Sequence, residues 1–313
     1  MNRCLVTGCG GFMGSHLASF LLEKGQTVYG TVHQHAEKLD SLKDRITILK
    51  CDISDRKRVN DVVSEVKPDR VFHLAAQSLI LPSWQDPEKT IETNILGTLY
   101  LLDSVRKANI DPLIEVVCSS AEYGFTGESK ILIKEDGQFK PSSPYGVSKV
   151  GQDMLAYLYW RTYSIKVIRV RPFYITGPGK LSDACSDFAR GIVEVEKGRT
   201  DTLNTGKLET VRDIVDVRDC VKAMWLLMEH GTPGEDYNIC SGRGYKMRDI
   251  LDKLRSLSPS KIKVCQSPER IRALDDPILI GDNSKLGRLG WKPQIPIERT
   301  LSDILDYWRK RLA

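Results

Sequence analysis

The sequence predicts an α/β protein built on a parallel, doubly wound β-sheet. In the first half of the chain, short apolar runs rich in Val, Ile and Leu alternate with helical segments of ten or more residues, as in strand–helix–strand units. A glycine-rich turn also follows the first apolar run and precedes the first helical segment. Right-handed crossovers then put helices on both faces of the sheet and a ligand crevice at the carboxyl ends of its strands.

The first half of the chain supplies most of the predicted elements. Its apolar runs predict strands at residues 3–7, 28–32, 46–50, 70–75, 113–118 and 165–170. Amphipathic spacing predicts helices at residues 15–24, 56–66, 90–108 and 145–163. The first of these helices ends at Gly25, a residue type favoured just after a helix.

After residue 171 the alternation becomes less regular. The pattern predicts strands at 210–217 and 236–240 and helices at 187–197, 217–229, 247–255 and 296–311. We therefore expect a Rossmann-type dinucleotide-binding domain at residues 1–174 plus 211–244. A smaller, partly interleaved C-terminal domain is expected at residues 175–210 plus 245–313, and it would bind the substrate.

Composition limits the classes of function. The 313 residues are 41% apolar and 28% charged, with a net charge of +5, and the basic residues are scattered. A scattered excess suits a phosphorylated small molecule and argues against nucleic acid, which favours a concentrated basic face. The eight cysteines show no metal-ligand spacing, so reduced thiols and no metal site are expected. With no predicted signal peptide and no apolar run of about 18 residues, we expect a cytoplasmic protein that does not enter the membrane.

The glycine run predicts a nucleotide cofactor. Gly8, Gly11 and Gly14 lie between a strand and a helix, where backbone amides, including those of Phe12 and Met13, can approach a pyrophosphate. A purely structural glycine turn is the alternative. Further predicted cofactor contacts lie at strand ends and are Asp52, Ile53, Leu74, Ala75 and Ala76. For Asp52, capping of the following turn is an equal alternative.

The end of the second strand indicates which cofactor is used. An NAD-restricted enzyme usually has an acidic residue there to bind the ribose hydroxyls. This chain has Thr31-Val-His33-Gln-His35 and no acid before Glu37, which leaves room for a 2′-phosphate near His33. The sequence therefore predicts NADP(H), with NAD(H) as the alternative.

Two residues on one helix predict redox chemistry at a carbonyl group. Tyr145 and Lys149 are four apart and so share one face of the helix. An ammonium group beside a phenol favours the tyrosinate, so we expect Lys149 to lower the pKa of Tyr145 from about 10. Ser119 stands at the end of the fifth strand, where a hydroxyl can point into the crevice, although Ser-Ser is also ordinary turn chemistry.

Together these residues resemble the extended short-chain dehydrogenase/reductase family, over essentially the whole chain. The resemblance is carried by Thr7-Gly-Cys-Gly-Gly11-Phe-Met-Gly14, His73-Leu-Ala-Ala76, Thr93-Asn94-Ile-Leu-Gly97, Ser119 and the Tyr145/Lys149 pair. It implies that Ser119, Tyr145 and Lys149 are the catalytic triad, that Asn94 supports the active site beside the cofactor, and that the protein is a homodimer.

Further motifs are similar to the nucleotide-sugar branch of that family, most of all to the GDP-4-keto-6-deoxy-mannose reductases. They are Arg171-Pro-Phe, Gly177-Pro-Gly179, Ser186-Asp-Phe-Ala-Arg190, Arg212-Asp213 and Gly281-Asp-Asn-Ser-Lys285. The resemblance implies a nucleoside-diphosphate sugar, with a GDP-sugar favoured, bound by Arg190, Arg212, Arg272 and Asp275. Tyr174 stands where relatives have Asn at the sugar, so the identity or the pose of the sugar is expected to differ.

The stretch Ser119-Ser120-Ala121-Glu122 bears on the choice between reduction and dehydration. Dehydrating relatives carry Glu three places before the Gly of their Tyr-Gly pair, and ungapped counting back from Gly124 puts Ala121 there. Reduction is therefore favoured, with Ser120 and Glu122 on the substrate side. The expected reaction is NADPH-dependent reduction of GDP-4-keto-6-deoxy-mannose to a GDP-6-deoxyhexose such as GDP-rhamnose.

The same stretch leaves room for different reactions. A one-residue gap would align Glu122 with the carboxylate of the dehydrating relatives and indicate a 4,6-dehydratase. The pattern is also compatible with a 4-epimerase that recycles its bound cofactor, and with a non-catalytic nucleotide sensor that keeps the fold.

Overall fold

The structure, a computed structural model, describes residues 2–124, 132–270 and 276–313. The chain forms two compact units. Unit 1 comprises the described residues of Met1–Gly124, Glu135–Pro172 and Val221–Asn238. Unit 2 comprises the described residues of Phe125–Lys134, Phe173–Cys220 and Ile239–Ala313.

The elements are numbered in chain order. The strands are β1 (Arg3–Thr7), β2 (Thr27–Val32), β3 (Thr47–Lys50), β4 (Arg70–His73), β5 (Leu113–Val117), β6 (Val167–Pro172), β7 (Tyr174–Thr176), β8 (Thr202–Thr205), β9 (Val211–Asp216), β10 (Asp236–Ile239), β11 (Gly244–Lys246), β12 (Lys263–Gln266) and β13 (Ile278–Leu279). The α-helices are α1 (Phe12–Glu23), α2 (Arg56–Val66), α3 (Ile80–Gln85), α4 (Pro87–Ile91), α5 (Gly97–Lys107), α6 (Pro144–Tyr163), α7 (Ala184–Glu196), α8 (Val217–His230), α9 (Met247–Ser256), α10 (Ser284–Gly287) and α11 (Ile297–Arg311).

Unit 1 is built on a seven-stranded sheet with the order β10-β6-β5-β4-β1-β2-β3. Strand β1 pairs in parallel with both β2 and β4, so the strand order reverses at β1. The parallel pairs β2–β3, β4–β5 and β5–β6 continue the sheet on either side. This arrangement confirms the predicted doubly wound fold, and the reversal directs a ligand crevice to the carboxyl ends of β1 and β4.

Apolar faces of α2, α5 and α6 bury one side of this sheet. Val63 of α2, Leu102 of α5 and Tyr159 of α6 pack with Leu5 of β1 and Ile114 of β5 in one buried cluster. At a spacing of three or four residues, Val59, Val62, Val63 and Val66 form the buried face of α2. Burial on this scale fixes the register of the strands, and hence the positions of the strand ends that carry polar residues.

Unit 2 has its own sheets and core. Strand β9 pairs with β7 and β13 in parallel and with β11 in antiparallel fashion, while β8 and β12 form a separate parallel pair. Helices α7, α9 and α11 pack together around a core that includes Ile192, Leu251 and Leu301. The short strands β7, β8, β11, β12 and β13 were not predicted, because runs of two to four residues are too short for alternation to be recognised.

Some boundaries differ from those expected. Residues 211–220, expected in the cofactor domain, belong to unit 2 because β9 pairs with strands of that unit. The predicted helix at 90–108 is divided into α4, a π-helix at Glu92–Leu96 and α5. All eight cysteines are thiols that are not joined in disulfides; seven are buried and Cys265 is exposed. Among the described residues, no helix has the length and apolar character needed to cross a membrane.

Candidate active site

The glycine loop after β1 is packed too closely for larger residues. Gly8 has φ +68°, and a Cβ atom there would lie 2.8 Å from the Cα atom of Ala75. A Cβ atom at Gly14 would lie 2.4 Å from the carbonyl oxygen of Gly8. Helix α1 begins directly after Gly11, which has no side chain to cap the first turn. The loop and the helix N-terminus, with the amides of Phe12 and Met13, therefore fit a pyrophosphate group.

The end of β4 lies beside this loop. The amide of Ala75 donates to Thr7 Oγ1 at 3.1 Å, and the amide of Leu74 donates to the Thr7 carbonyl at 3.3 Å. Leu74, Ala75 and Ala76 are half-buried. The structure thus brings together the two predicted cofactor segments at the ends of neighbouring strands.

At the end of β2, His33 has a partner that the sequence did not indicate. His33 Nε2 lies 3.3 Å from Asp52 Oδ2, and both side chains are partly exposed. Asp52 Oδ1 accepts hydrogen bonds from the amide and the hydroxyl of Ser54, at 2.9 and 2.7 Å. Burial raises the pKa of Asp52, but the Ser54 hydrogen bonds and His33 outweigh it and lower that pKa. Asp52 therefore both caps the turn and pairs with His33. Ile53 is 6% exposed and packs in the core.

A basic residue near the glycine loop was missed. Lys38 Nζ lies 5.9 Å from the centre of the Phe12 ring. The segment before it also approaches the loop closely, because a Cβ atom at Gly10 would lie 2.1 Å from the His35 carbonyl oxygen. The sequence offered only one indication of this residue, a lysine five residues after His33. The surrounding stretch has no helix or strand periodicity from which its position near the loop could be predicted.

The three predicted catalytic residues lie together in unit 1. The Ser119 hydroxyl lies near enough to the Tyr145 phenol to lower its pKa. Lys149 Nζ donates to the Val117 carbonyl at 2.8 Å and to Gln152 Oε1 at 2.7 Å, and lies 5.8 Å from the centre of the Tyr145 ring. The amide of Gly146 donates to Ser143 Oγ, which caps α6 and so fixes the start of the helix that bears Tyr145 and Lys149.

The pKa values of this site differ from the expectation. Burial raises the pKa of Tyr145 to about 12, despite the lowering effect of the Ser119 hydrogen bond. Burial lowers the pKa of Lys149 to about 8. The expectation that the Tyr145 pKa lies below its usual value is therefore wrong for this structure, because the cost of burying a tyrosinate outweighs any stabilisation of it by neighbouring groups. Tyr145 is a phenol at neutral pH, the form that can donate a proton.

Asn94 supports α6 from the π-helix. Its Oδ1 atom accepts from the Gln77 amide at 2.8 Å, and its Nδ2 atom donates to the Gln77 carbonyl at 3.0 Å and to Ser148 Oγ at 2.8 Å. Ser148 Oγ in turn donates to the Tyr145 carbonyl at 2.7 Å. Asn94 is fully buried, and the hydrogen bonds of its side-chain amide link the segment after β4 to α6. π-Helices often occur at functional positions of this kind.

Glu122, which was predicted to lie on the substrate side, is enclosed by the protein. It is fully buried, and its Oε1 atom accepts the Ser119 amide at 2.8 Å in a capping box. The turn at Ser120–Glu122 is a 3₁₀-helix, so the side-chain alternation of the strand does not continue through it. Ser120 is 6% exposed, whereas Ala121 is half-buried.

In unit 2, the predicted substrate residues make contacts within the protein. Tyr174 Oη accepts from the amides of Ala184 and Cys185 at 2.8 and 3.4 Å, at the N-terminus of α7. Arg190 lies 3.6 Å from Asp187 and 5.8 Å from the centre of the Trp308 ring.

The remaining residues that were predicted to bind the substrate are Arg212 of β9, Arg272 and Asp275. Arg212 donates to the carbonyl of Val211 at 2.9 Å. Arg272 and Asp275 lie outside the described residues.

Comparison with known proteins supplies the family. Residues 5–304 of the chain match the family described as GDP-mannose 4,6 dehydratase. The chain belongs to this family. The GDP-6-deoxy-D-mannose reductase of Pseudomonas aeruginosa is 31% identical over 99% of this chain and 98% of its own length. This match confirms the resemblance that the sequence motifs indicated. The chain therefore belongs to an enzyme family of the extended short-chain dehydrogenase/reductase type.

Solved structures agree with this assignment. The structure of RMD from Pseudomonas aeruginosa, complexed with NADPH, is similar with a TM-score of 0.87 and 30% identity, over 99% of this chain and 100% of the other. The Thermus thermophilus UDP-glucose 4-epimerase complex with NAD has a TM-score of 0.89 and 27% identity, over 98% and 99% of the two chains. Members that resemble this chain thus include a reductase and an epimerase.

Proposed function

We propose that this protein reduces the 4-keto group of GDP-4-keto-6-deoxy-mannose with NADPH and yields a GDP-6-deoxyhexose such as GDP-rhamnose. The proposal is supported by the similarity to a GDP-6-deoxy-D-mannose reductase over almost the full length of both chains. The family takes its description from a dehydratase, so family membership does not choose between reduction and dehydration. That choice depends on the residues of the site.

The observation that carries the choice is the burial of Glu122. A dehydratase needs a carboxylate that reaches the sugar to take a proton during elimination. Alanine occupies position 121 and cannot do so, and the neighbouring Glu122 is fully buried with one oxygen bound to the Ser119 amide. Reduction needs only a hydride and a proton at the carbonyl, and the residues for the proton are present.

The roles of the catalytic residues follow from their chemistry. NADPH held at the glycine loop would supply the hydride for C4 of the sugar. Tyr145, a phenol because burial raises its pKa to about 12, donates its proton to the sugar O4. Ser119, which lies beside Tyr145, orients the keto oxygen. Lys149 places its positive charge on the same face of α6, where it stabilises the tyrosinate left after proton donation.

NADPH is proposed over NADH because the end of β2 lacks an acidic residue and basic groups lie nearby. His33 and Lys38 are candidates for the 2′-phosphate, and Lys38 already lies beside Phe12 of the glycine loop. The RMD structure contains NADPH, which supports the preference. The NAD in the similar UDP-glucose 4-epimerase keeps NAD(H) as the alternative.

For the nucleotide sugar, we propose contacts from Ser120, Tyr174, Arg190, Arg212, Arg272 and Asp275. Arginine suits a diphosphate because its guanidinium group binds two oxygens at once. The hydroxyl of Tyr174 accepts backbone hydrogen bonds at the start of α7, and these bonds fix the position of the ring. We therefore propose that the ring contacts the sugar by packing and that its hydroxyl does not donate a hydrogen bond to it.

We further propose a cytoplasmic homodimer. Met154, Tyr157 and Leu158 of α6 are between 42% and 50% exposed, and Ile91 of α4 is 41% exposed. Large apolar residues exposed along one helix support pairing with a second copy.

The test is to mix the purified protein with NADPH and GDP-4-keto-6-deoxy-mannose and follow nicotinamide absorbance. A loss of absorbance that matches the GDP-6-deoxyhexose formed is expected. Conversion of GDP-mannose or a UDP-sugar without added cofactor would instead establish a dehydratase or epimerase. Binding of nucleotides with no turnover of any of these sugars would indicate a sensor.

A further inference from the structure

A buried group of charged side chains lies behind the turn that carries Ser119. Arg171 is 1% exposed; its Nε atom lies 3.0 Å from Asp153 Oδ2 and 3.3 Å from Glu122 Oε2. Its Nη2 atom lies 2.6 Å from Asp236 Oδ2. Arg169 Nη1 pairs with Asp153 Oδ1 at 2.7 Å. We refer to these five residues as the acid–arginine cluster.

The charges of the acid–arginine cluster do not balance when every acid is ionised. Three carboxyl groups then face two guanidinium groups, so the remaining positive charge must come from Lys149, which also acts on Glu122, and an uncompensated buried charge is costly. Burial and Asp153 raise the pKa of Glu122 to about 8. Burial opposes ionisation of Asp153 as well, but Arg171 and Arg169 outweigh it and lower that pKa. Of the acids in the cluster with a shifted pKa, Glu122 is therefore the one whose surroundings favour the protonated form.

The two carboxyl oxygens of Glu122 have different surroundings. Oε1 accepts the Ser119 amide at 2.8 Å. Oε2 has no hydrogen-bond donor among the described residues, because Arg171 Nε donates to Asp153. Cys118, Glu122 and Asp153 also place ligand atoms within 4.8 Å of one another, but Arg171 lies against both carboxyl groups and supplies their cation. Oε1 thus holds the turn, and Oε2 is the oxygen left available for a proton.

We propose that Glu122 is a positioning residue of the active site, which fixes Ser119 through Oε1 and releases a proton from Oε2 as pH rises so that Lys149 keeps its charge. The proposal rests on the proposed reductase function. An ionised Glu122 raises the pKa of both Lys149 and Tyr145. Because Glu122 loses its proton in the pH range where Lys149 would lose its own, the ammonium group is retained to higher pH.

Few other groups near Glu122 change charge in this range. The titratable and charged groups near it come from the end of β5, the turn, α6, β6 and β10, and they are Cys118, Tyr123, Tyr145, Lys149, Asp153, Arg171 and Asp236. Burial raises the pKa of Cys118 well above its usual range and also raises the pKa of Tyr123, so both stay neutral. The pKa of Arg171 is raised: burial opposes its charge, but Asp153 and other neighbours outweigh that effect, so Arg171 stays charged.

Glu122→Gln separates the charge of the side chain from its hydrogen bond. The amide oxygen can still accept the Ser119 amide, but no proton can be released. We expect the alkaline limb of kcat for NADPH-dependent reduction, measured from about pH 6 to about pH 10, to move to lower pH by about one unit. Glu115→Gln is the matched control, since Glu115 is an equally buried carboxyl group in β5 that makes no hydrogen bond to the described residues. Its profile should match that of the wild type.

Glu122→Met tests the positioning role, because it removes the acceptor for the Ser119 amide. We expect kcat to fall about 10–100-fold with KM for NADPH unchanged, and Glu122→Gln to restore most of that loss at about pH 6.5. If the wild type reduces the 4-keto sugar but Glu122→Gln keeps the wild-type pH profile, the role of Glu122 is refuted. If the wild type oxidises no NADPH with that sugar, the proposed function itself fails, before any variant is compared.

Discussion

Replacing Glu115 with methionine should stabilise the protein, and the gain should grow as pH rises. Glu115 lies in β5 between Phe72 of β4 and Ile168 of β6, and it is fully buried. Neither of its carboxyl oxygens has a hydrogen-bond partner among the described residues. An unpaired buried polar group costs about 1–3 kcal/mol. Methionine has a similar volume and no such group, so its substitution removes that cost.

A second contribution comes from the proton that the folded state binds. Burial raises the pKa of Glu115 well above its ordinary value. Above about pH 4.3 the unfolded chain has lost this proton, whereas the folded protein keeps it. The free energy of unfolding therefore falls by about 1.4 kcal/mol per pH unit from about pH 5 up to the folded pKa. Below the unfolded pKa, Glu115 is protonated in both the folded and the unfolded state, so the folded protein there has lost none of its stability through this group.

Urea unfolding followed by tryptophan fluorescence, at about pH 5.5, 6.5 and 7.5, measures both contributions. The Glu115→Met variant should be more stable than the wild type by about 3–4 kcal/mol at the lowest pH, because about 2 kcal/mol from the unpaired polar group adds to about 1.6 kcal/mol from the bound proton. The difference should increase by about 1.4 kcal/mol per pH unit as long as the pH stays below the folded pKa. Glu115→Gln keeps a buried polar group without an ionisable proton, so it should show only the pH-dependent part. A stability difference between the variant and the wild type that stays constant with pH would refute the prediction that folded Glu115 keeps its proton. A methionine variant less stable at every pH would show that Glu115 has a partner.

Three further substitutions test the site. Tyr145→Phe should lower kcat by orders of magnitude while NADPH binding, measured by fluorescence, stays nearly intact; unchanged turnover would refute its role as proton donor. Gly146→Ala should lower both kcat and the free energy of unfolding, the latter by about 1–3 kcal/mol, because its Cβ atom would lie 2.6 Å from the Ala121 carbonyl oxygen. Lys38→Ala should raise KM for NADPH about tenfold and leave KM for NADH unchanged, whereas Lys43→Ala, at an exposed lysine nearby, should alter neither. Equal effects of Lys38→Ala on both cofactors would exclude a contact with the 2′-phosphate.

The parts of the fold predicted from sequence are those set by local patterns. The strand-glycine-helix order at Gly8 and the four-residue spacing of Tyr145 and Lys149 both depend on neighbours in sequence, and the structure has both. The break of the helix at Asn94 could not be predicted, because Asn94 is held by Gln77, 17 residues away. Burial of Glu115 is likewise a property of the assembled sheet, since an apolar run predicts a strand but not the environment of a single acid within it.

The one-residue ambiguity at Ala121 and Glu122 shows why the sequence left the reaction open. In an extended strand, adjacent side chains point in opposite directions, so a gap of one residue decides whether a carboxylate faces the sugar. The chain leaves the extended conformation at Ser119, and the following 3₁₀ turn is closed by the capping box between Ser119 and Glu122. The same carboxyl group that could have served elimination thus holds the amide of the residue proposed to orient the keto oxygen. Because Glu122 Oε1 is committed to that hydrogen bond and Oε2 faces Arg171, elimination at this site would require both contacts to break.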